Sequence, residues 1–340
     1  MDRLNIAQIG LGYWGPNLVR NLINNDRCNL TSIVEISEKR RNYAVDLYPD
    51  INVSDDYNNV LNDNSIDAVV IATPAATHYD IAVKALEHDK HILVEKPMAM
   101  TVKEINEIEK LEKEKNLVAM AGHTFLFNNA VRYVKESIDS GDIGNIRYIY
   151  SQRVNLGRIR SDVNAMWNLA PHDISIIQYW LNESEPKTVR SFGMDYMQPG
   201  VDDVTFITIE YPKKVIANIH VSWLDPRKIR RITIVGSKKM IIYDDIAENK
   251  IAIYDKGIER TSLKATSKYM EDYGLYRTAN FNHRFGDIII PRIQWEEPLK
   301  LEIDHFIDCI NNGTTCLTGV AHAKRVVKIL ELASSEENVS

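Results

Sequence analysis

Near the amino terminus, Gly10-Leu11-Gly12-Tyr13-Trp14-Gly15 follows a short apolar run and precedes the helical pattern Asn17–Ile23. Glycines at this spacing between a strand and a helix suit a dinucleotide. The first permits a tight turn, the second lets backbone approach a pyrophosphate, and the third allows helix to pack closely on strand. A helix start at this point offers free N–H groups and a partial positive charge to phosphate. Pro16 fits there, because a first-turn proline gives up an N–H that has no helical partner. Glu35 ends the next apolar run, 20 residues past Gly15, where an acid can bind the adenosine ribose hydroxyls. An ordinary surface turn beside a solvated acid is the plain alternative, and strand, spacing and acid together disfavour it. A carboxylate here would repel a ribose 2′-phosphate, and Ile36 and Ser37 supply no compensating cation. NAD is therefore expected in preference to NADP, with Lys39 and Arg40 the cations that could swing in.

These residues need a scaffold, and the first 120 or so positions supply one. Strand candidates at Asn5–Gly10, Leu30–Glu35, Ala68–Ala72, His91–Val94 and Leu117–Ala121 alternate with helical stretches such as Tyr79–Glu87 and Val102–Lys115. Several strands are nearly continuous runs of Val, Ile and Ala, as expected where helices cover both faces of a parallel sheet. The pattern predicts an α/β protein with an N-terminal Rossmann domain over residues 1–124. The rhythm then changes. After a helical segment at Asn129–Ser140 and a turn at Gly141–Gly144 come β-rich runs at Ile146–Val154, Thr188–Tyr196, Val204–Tyr211, Val215–Trp223, Ile229–Val235, Met240–Tyr243 and Lys250–Tyr254. Helical patterns interrupt them at Ile174–Leu181 and close the chain at Leu301–Asn311 and Val320–Leu332, ahead of a polar tail, Ser334–Ser340. Residues 125–340 thus read as a second α/β domain with a large, mostly antiparallel open sheet. The boundary is expected near 122–128, with no flexible linker.

Composition bounds the function class. The chain has 340 residues, 44% hydrophobic and 26% charged, with a formal net charge of −6. That length favours two domains, and the acidic balance argues against a general nucleic-acid binder while leaving room for a local cationic pocket. No apolar run approaches the roughly 20 residues needed to cross a bilayer. The first residues enter a strand at once, leaving no room for a signal peptide, so a cytoplasmic protein is expected. Cys28, Cys309 and Cys316 form no CxxC pair and are odd in number, which argues against a disulfide framework or zinc site and suits a reducing compartment. His88, His91, His220, His283, His305 and His322 show no H-E-x-x-H or similar spacing, so no metal is expected.

Ala72-Thr73-Pro74-Ala75-Ala76-Thr77-His78 and Glu95-Lys96-Pro97, together with the glycine motif, resemble the glucose–fructose oxidoreductase/inositol dehydrogenase (Gfo/Idh/MocA) family. The resemblance spans essentially the whole chain. It takes in the Gly141–Gly144 turn, Leu169-Ala170-Pro171-His172-Asp173, and Glu297-Pro298-Leu299 followed by His305-Phe306. Within the family, Trp167–Ile174, Val221–Pro226 and Ile234–Met240 look like the branch acting on nucleotide-linked sugars, including the 3-dehydrogenases of UDP-N-acetylglucosamine and its uronic acid.

The resemblance implies an NAD-dependent sugar dehydrogenase, in which residues 125–340 serve substrate binding and oligomerisation, and a set of roles. Lys96 and His172 are implied to be catalytic. Gly10, Gly12, Tyr13, Trp14, Gly15, Glu35, Thr73, Pro74, His78, Glu95 and Lys96 are implied to hold the cofactor. Oxidising a secondary alcohol requires a base for the hydroxyl proton and stabilisation of the developing alkoxide. Lys96 lies just past a parallel strand, where sites of open α/β sheets form, and a nearby nicotinamide cation would lower its pKa. Histidine is a natural base near neutral pH. Substrate contacts are expected from Lys96, His123, Asn128, Arg158, Arg160, Asn168, His172 and Asp173. Asp173 could touch the sugar or cap a helix. Asn168 stands where the family usually has an aspartate, four residues before the histidine; it could position substrate or serve as a helix N-cap, with Pro171 in the first turn.

Two cationic stretches stand out in an acidic chain: Arg153, Arg158 and Arg160, then Arg227, Lys228, Arg230 and Arg231. Arginine's planar fork can grip two phosphate oxygens at once. With the branch resemblance, this suggests a nucleotide-sugar substrate, a UDP-linked N-acetylamino sugar oxidised at a ring secondary alcohol, C3, for surface-glycan biosynthesis. Solvated strand faces are the plain reading of the same cations. Two alternatives stay open: a dehydrogenase of a free polyol such as an inositol, and a non-catalytic cofactor-binding regulator, against which the Lys96–His172 pair counts. A homodimer or homotetramer is implied by resemblance alone.

Overall fold

The computed structural model describes residues 3–261 and 280–335, so residues 336–340 of the expected polar tail lie outside the described residues. Six strands form a parallel sheet: β1 (Leu4–Ile9), β2 (Cys28–Val34), β3 (Asn52–Ser54), β4 (Ala68–Ile71), β5 (His91–Glu95) and β6 (Ala119–Gly122). Their order is β3-β2-β1-β4-β5-β6, so the chain reverses direction between β1 and β4. Ala68-Val69-Val70-Ile71 is buried along its whole length, as a strand sandwiched between helices must be. The helices of this layer are α1 (Gly15–Ile23), α2 (Glu38–Leu47), α3 (Asn58–Leu61), α4 (His78–Glu87) and α5 (Val102–Lys115). Thr101 and Glu104 close a capping box at the start of α5, and Asn116 ends it in the left-handed region.

The second sheet has eight strands: β7 (Ile146–Leu156), β8 (Thr188–Met194), β9 (Val204–Tyr211), β10 (Val215–Ser222), β11 (Leu224–Gly236), β12 (Met240–Asp244), β13 (Ile251–Thr261) and β14 (Asn280–Ile289). Their order is β14-β13-β12-β11-β7-β10-β9-β8, and only the β7–β10 pair is parallel. Side chains alternate along β9: Thr205, Ile207, Ile209 and Tyr211 face the core, while Phe206, Thr208 and Glu210 face out. The inner face is covered by α6 (Asn129–Asp139) and α7 (Ala165–Trp180), and buries Trp180 against Tyr243.

Two long helices close the chain: α8 (Pro298–Asn312) and α9 (Val320–Ser334). Val320, Ala323 and Val327 of α9 join the core beside the parallel sheet, and Lys324 pairs with Glu109 of α5 at 3.0 Å. The end of the chain therefore packs back onto the beginning. Arg27, just ahead of β2, reaches Asp308 of α8 at 2.5 Å.

Three element readings need correction. The helix expected at Ile174–Leu181 starts nine residues earlier, at Ala165, because Asn164 caps it by accepting the Trp167 N–H at 2.9 Å. Asn168 is therefore inside the helix and not its cap. Pro171 is inside too, where it withholds the N–H that the Trp167 carbonyl would otherwise receive. The other two concern β-strands: β11 runs from Leu224 through Pro226, well ahead of the expected Ile229, and β13 runs to Thr261 and pairs with a fourteenth strand that periodicity did not reveal.

Candidate functional site

A cavity of about 1460 Å³ runs from the glycine loop to the mouth of the antiparallel sheet. A single ligand pocket usually measures about 300–1,000 Å³, so there is room for two ligands side by side. Its first half lies at the carboxyl ends of β1, β2 and β4, where the strand order reverses and open α/β sheets place their ligands.

Here the backbone makes the site. Gly10 has φ +97°, and a Cβ would sit 2.6 Å from the Ala72 carbonyl oxygen, so no side chain fits. A Cβ on Gly15 would lie 3.0 Å from the Gly10 carbonyl oxygen. Gln8, fully buried, donates from Nε2 to the carbonyls of Gly10 at 2.9 Å and Gly15 at 3.0 Å, bracing the turn from below. Motif reading missed that brace; only its place on a buried strand marked it. Trp14 at the N-cap of α1 makes no side-chain cap; Pro16 has no N–H and the Asn17 N–H donates to the Trp14 carbonyl at 3.0 Å, so no side chain blocks the helix start on the side where a phosphate would sit. Glu35 is 5% exposed, lines the cavity, and accepts the N–H groups of Leu11 at 2.7 Å and Ser37 at 2.9 Å. A carboxylate has capacity beyond those two bonds, so ribose hydroxyls can still be received. Arg40 stands 3.7 Å from it. The cradle, the free helix start and the fixed acid all fit a dinucleotide.

Thr73, Pro74 and His78 form the next wall. The His78 ring spans the Thr73 carbonyl at 2.9 Å and the Pro97 carbonyl at 2.7 Å, so it ties the loop after β4 to the loop after β5. Tyr13 and Trp14 lie at the rim, 91% and 40% exposed. Among the sequence-predicted cofactor residues, Gly10, Gly12, Tyr13, Trp14, Glu35, Thr73, Pro74, His78, Glu95 and Lys96 line the cavity, and Gly15 packs behind the turn.

The floor is made of side chains from distant elements. Lys96, just after β5, donates from Nζ to the Asn168 carbonyl at 2.9 Å and so crosses from the parallel sheet to α7. Burial lowers its pKa to about 8 against the pull of Glu95, with Arg160 and Arg153 pushing the same way as burial. Burial raises the Glu95 carboxyl to about 7, opposed by Lys96. One turn beyond Asn168, His172 lines the cavity with its ring 4.9 Å edge-on from Phe125. Burial, then the charges of Lys96 and Arg153, hold the His172 pKa well below the ordinary imidazole value. Its Nδ1 has no hydrogen-bond partner among the described residues. The floor therefore presents a neutral imidazole beside an amine whose affinity for a proton is reduced.

The other expected substrate contacts divide. Asn128, Asn168 and Arg160 line the cavity. Asn128 also caps α6 through the Ala130 N–H at 2.9 Å. His123, Arg158 and Asp173 are not among the lining residues. His123 is 2% exposed and packs its ring against His322 at 5.2 Å, behind the floor. Arg158 is exposed on the loop after β7. Asp173, 1% exposed, accepts Arg153 Nε at 2.6 Å and Ser151 Oγ at 2.8 Å, because its place on α7 faces the sheet. It neither caps a helix nor reaches the cavity; it holds Arg153, which does.

Three cavity features escaped the sequence reading. Phe125 covers one side of His172 and stacks under the Arg153 guanidinium at 4.6 Å. Asp245 pairs with Arg230 of β11 at 3.4 Å on the wall formed by the antiparallel sheet. Glu302 of α8 is fully buried behind the floor and accepts Thr124 Oγ1 at 2.8 Å, and its carboxyl is held well above the ordinary range, first by burial and then by Glu95. A glutamate on an amphipathic helix gives no hint that it will be buried.

A Rossmann half with an intact glycine cradle, joined to a second half built on an open sheet, defines a dinucleotide-binding protein of two domains. Residues 4–123 match the oxidoreductase family with an NAD-binding Rossmann fold, and residues 131–242 match the GFO/IDH/MocA C-terminal domain. The two matches together span more than half of the chain, which belongs to the Gfo/Idh/MocA family. It is 28% identical over 230 residues to a 2,7-anhydro-N-acetylneuraminate hydratase of Escherichia coli, covering 64% of this chain and 61% of that one. It is 25% identical over 329 residues to a scyllo-inositol 2-dehydrogenase (NAD+) of Bacillus subtilis, covering 92% and 88%. Among solved structures, a UDP-N-acetylglucosamine 3-dehydrogenase of Acidithiobacillus ferrooxidans superposes with a TM-score of 0.80 at 20% identity, over 100% of both chains. The chain spans about three fifths of the length of several curated relatives. No described helix is long and apolar enough to cross a membrane.

Proposed function

We propose that this protein is an NAD-dependent dehydrogenase of a ring secondary alcohol in a sugar, with Lys96 and His172 as its acid–base pair. The observation that carries the reading is the floor: Lys96 Nζ held at 2.9 Å by the Asn168 carbonyl, one helical turn from His172, at the junction of a two-ligand cavity. Bound NAD would supply the hydride acceptor. The protein's own groups do the rest. Neutral His172 accepts the hydroxyl proton as the carbonyl forms, and Lys96 stabilises the developing negative charge on oxygen. Phe125 and Trp167 line the cavity as apolar walls, and Glu35 and the glycine turn hold the dinucleotide.

For the substrate, we favour a UDP-linked N-acetylamino sugar oxidised at C3. Supporting this are the branch resemblance at Trp167–Ile174, the end-to-end likeness of fold to a UDP-sugar enzyme, and Arg153, Arg160 and Arg230 on the cavity wall. A specific observation favours a second reading, a free polyol. Each of those arginines already faces a carboxylate, Asp173, Asp162 or Asp245, so the wall is close to neutral. The full-length likeness to an inositol dehydrogenase points the same way. Screening UDP-sugars against inositols for NADH formation, with calorimetry for UDP binding to the NADH-loaded protein, decides between them. UDP binding with turnover of a UDP-sugar supports the first reading. Polyol turnover without UDP binding replaces it with the second, and turnover of neither class with NAD or NADH sinks the dehydrogenase reading.

A further inference from the structure

The cysteines show no metal spacing in sequence, yet the fold gathers two of them with a histidine. His305 and Cys309 are four residues apart on α8 and share a face. Gly313 then ends the helix with φ +64°, and the chain doubles back to bring Cys316 onto that face. The returning loop is anchored on both sides: Leu317 N–H donates to His305 Nε2 at 2.9 Å, and the Thr318 carbonyl accepts the Ala121 N–H at 2.8 Å. A ring nitrogen of His305, Cys309 Sγ and Cys316 Sγ all lie within 4.8 Å of one another.

From these positions we propose that His305, Cys309 and Cys316 form a binding site for a thiophilic divalent cation of the zinc type, separate from the dinucleotide cavity. Zinc takes thiolate at about 2.3 Å and imidazole at about 2.0–2.1 Å in a tetrahedron, so an S–N edge is about 3.6 Å. The Cys309 Sγ to His305 Nε2 separation is 3.5 Å. An amide N–H can only donate, so the Leu317 bond fixes Nε2 as the nitrogen bearing the lone pair, the form that a metal needs. Coordination would replace that bond. Two thiolates and an imidazole select zinc over magnesium or calcium, which prefer oxygen. Cys309 is 5% exposed while Cys316 is partly exposed, so the ion would enter from the Cys316 side and keep one position for water. A bound ion would pin the end of α8 to the loop that pairs Gly319 with Met120 of β6.

Cobalt(II) and zinc(II) titration of the reduced, chelator-treated full chain tests this. One cobalt per chain should give a near-ultraviolet sulfur-to-metal band, bleached by zinc, and zinc should raise the thermal unfolding midpoint. Cys309→Ser and Cys316→Ser should each lose the band, and Cys28→Ser should keep it. Should the serine variants fail to fold, the wild type still answers: zinc must slow alkylation of Cys309 and Cys316, read by peptide mass spectrometry, and leave Cys28 unchanged. No band in the wild type, a band surviving in both serine variants, or unaltered alkylation of Cys316 overturns the site.

Discussion

The two ends of the cavity are built in different ways. At the dinucleotide end the chain offers backbone: a glycine at φ +97°, a free helix start and one carboxylate fixed by two N–H groups, nearly all from residues 8–37. At the other end, where we place the substrate, it offers side chains from elements far apart in sequence: Lys96 after β5, Phe125 after β6, Arg153 on β7, His172 on α7, Arg230 on β11. A backbone-built site tolerates change in most side chains and depends on a few positions with no room. A side-chain-built site keeps its shape when one group is removed and loses chemistry instead.

The largest expected effect tests the second half of that contrast. His172→Ala and Lys96→Met should each lower kcat by about 100- to 10,000-fold, the usual contribution of an acid–base group. NADH affinity should change little, because neither substitution disturbs the glycine turn. Stopped turnover with unchanged NADH fluorescence titration is the expected pair of results, and near-normal kcat in both variants would remove these residues from the mechanism.

Gly10→Ala probes the other half. An added Cβ meets the Ala72 carbonyl at 2.6 Å, and left-handed backbone costs a non-glycine residue roughly 1–2 kcal/mol. NAD affinity should fall about tenfold or more, while any substrate binding that does not need the dinucleotide stays intact. Equal loss at both ends would mean that the halves are not independent.

Cofactor choice is a smaller effect at the same end. Glu35 is held in place by Leu11 and Ser37, so its charge cannot swing away from an incoming 2′-phosphate. NAD should exceed NADP in kcat/KM, and Glu35→Ser should narrow the gap by about tenfold, near 1.4 kcal/mol, because Arg40 is 3.7 Å from the same carboxylate. A wild type that uses NADP as well as NAD would overturn this.

The same division decides what was legible in the sequence. The glycine turn, Glu35 and the parallel strands are local signals, since buried Val–Ile–Ala runs and a G-x-G-x-x-G spacing depend on neighbours within about 30 residues. Lys96 and His172 stood out through motif resemblance, and the structure places both on one cavity floor. Asp173 was misplaced because sequence does not say which face of α7 meets the sheet. Asn168 was read as a possible cap because Pro171 imitates a helix start. Glu302 and the returning Cys316 loop were invisible, since only tertiary packing brings them to their partners.

The smallest effect concerns Asn168 and sharpens the view of the floor. Asn168 and His172 are four apart on α7, so their side chains share a face, and the Asn168 carbonyl already holds Lys96. Asn168→Asp puts a carboxylate beside an imidazole whose pKa burial and the Lys96 and Arg153 charges hold low. An opposite charge favours the protonated form, so the His172 pKa must rise. The protonated form then persists to higher pH, so the acid limb of kcat/KM for oxidation moves upward, by about one unit for a partly solvated pair. Lys96, lowered to about 8 by burial, moves in the same direction. Activity at pH 6 should fall while activity at pH 9 changes little. Cofactor affinity stays as in the wild type, because residue 168 stands at the substrate end. Asn168→Ala provides the control: it removes the amide without adding charge and should leave the limb in place. A limb that does not move in Asn168→Asp, or that moves equally in both variants, would separate Asn168 from the titration of His172.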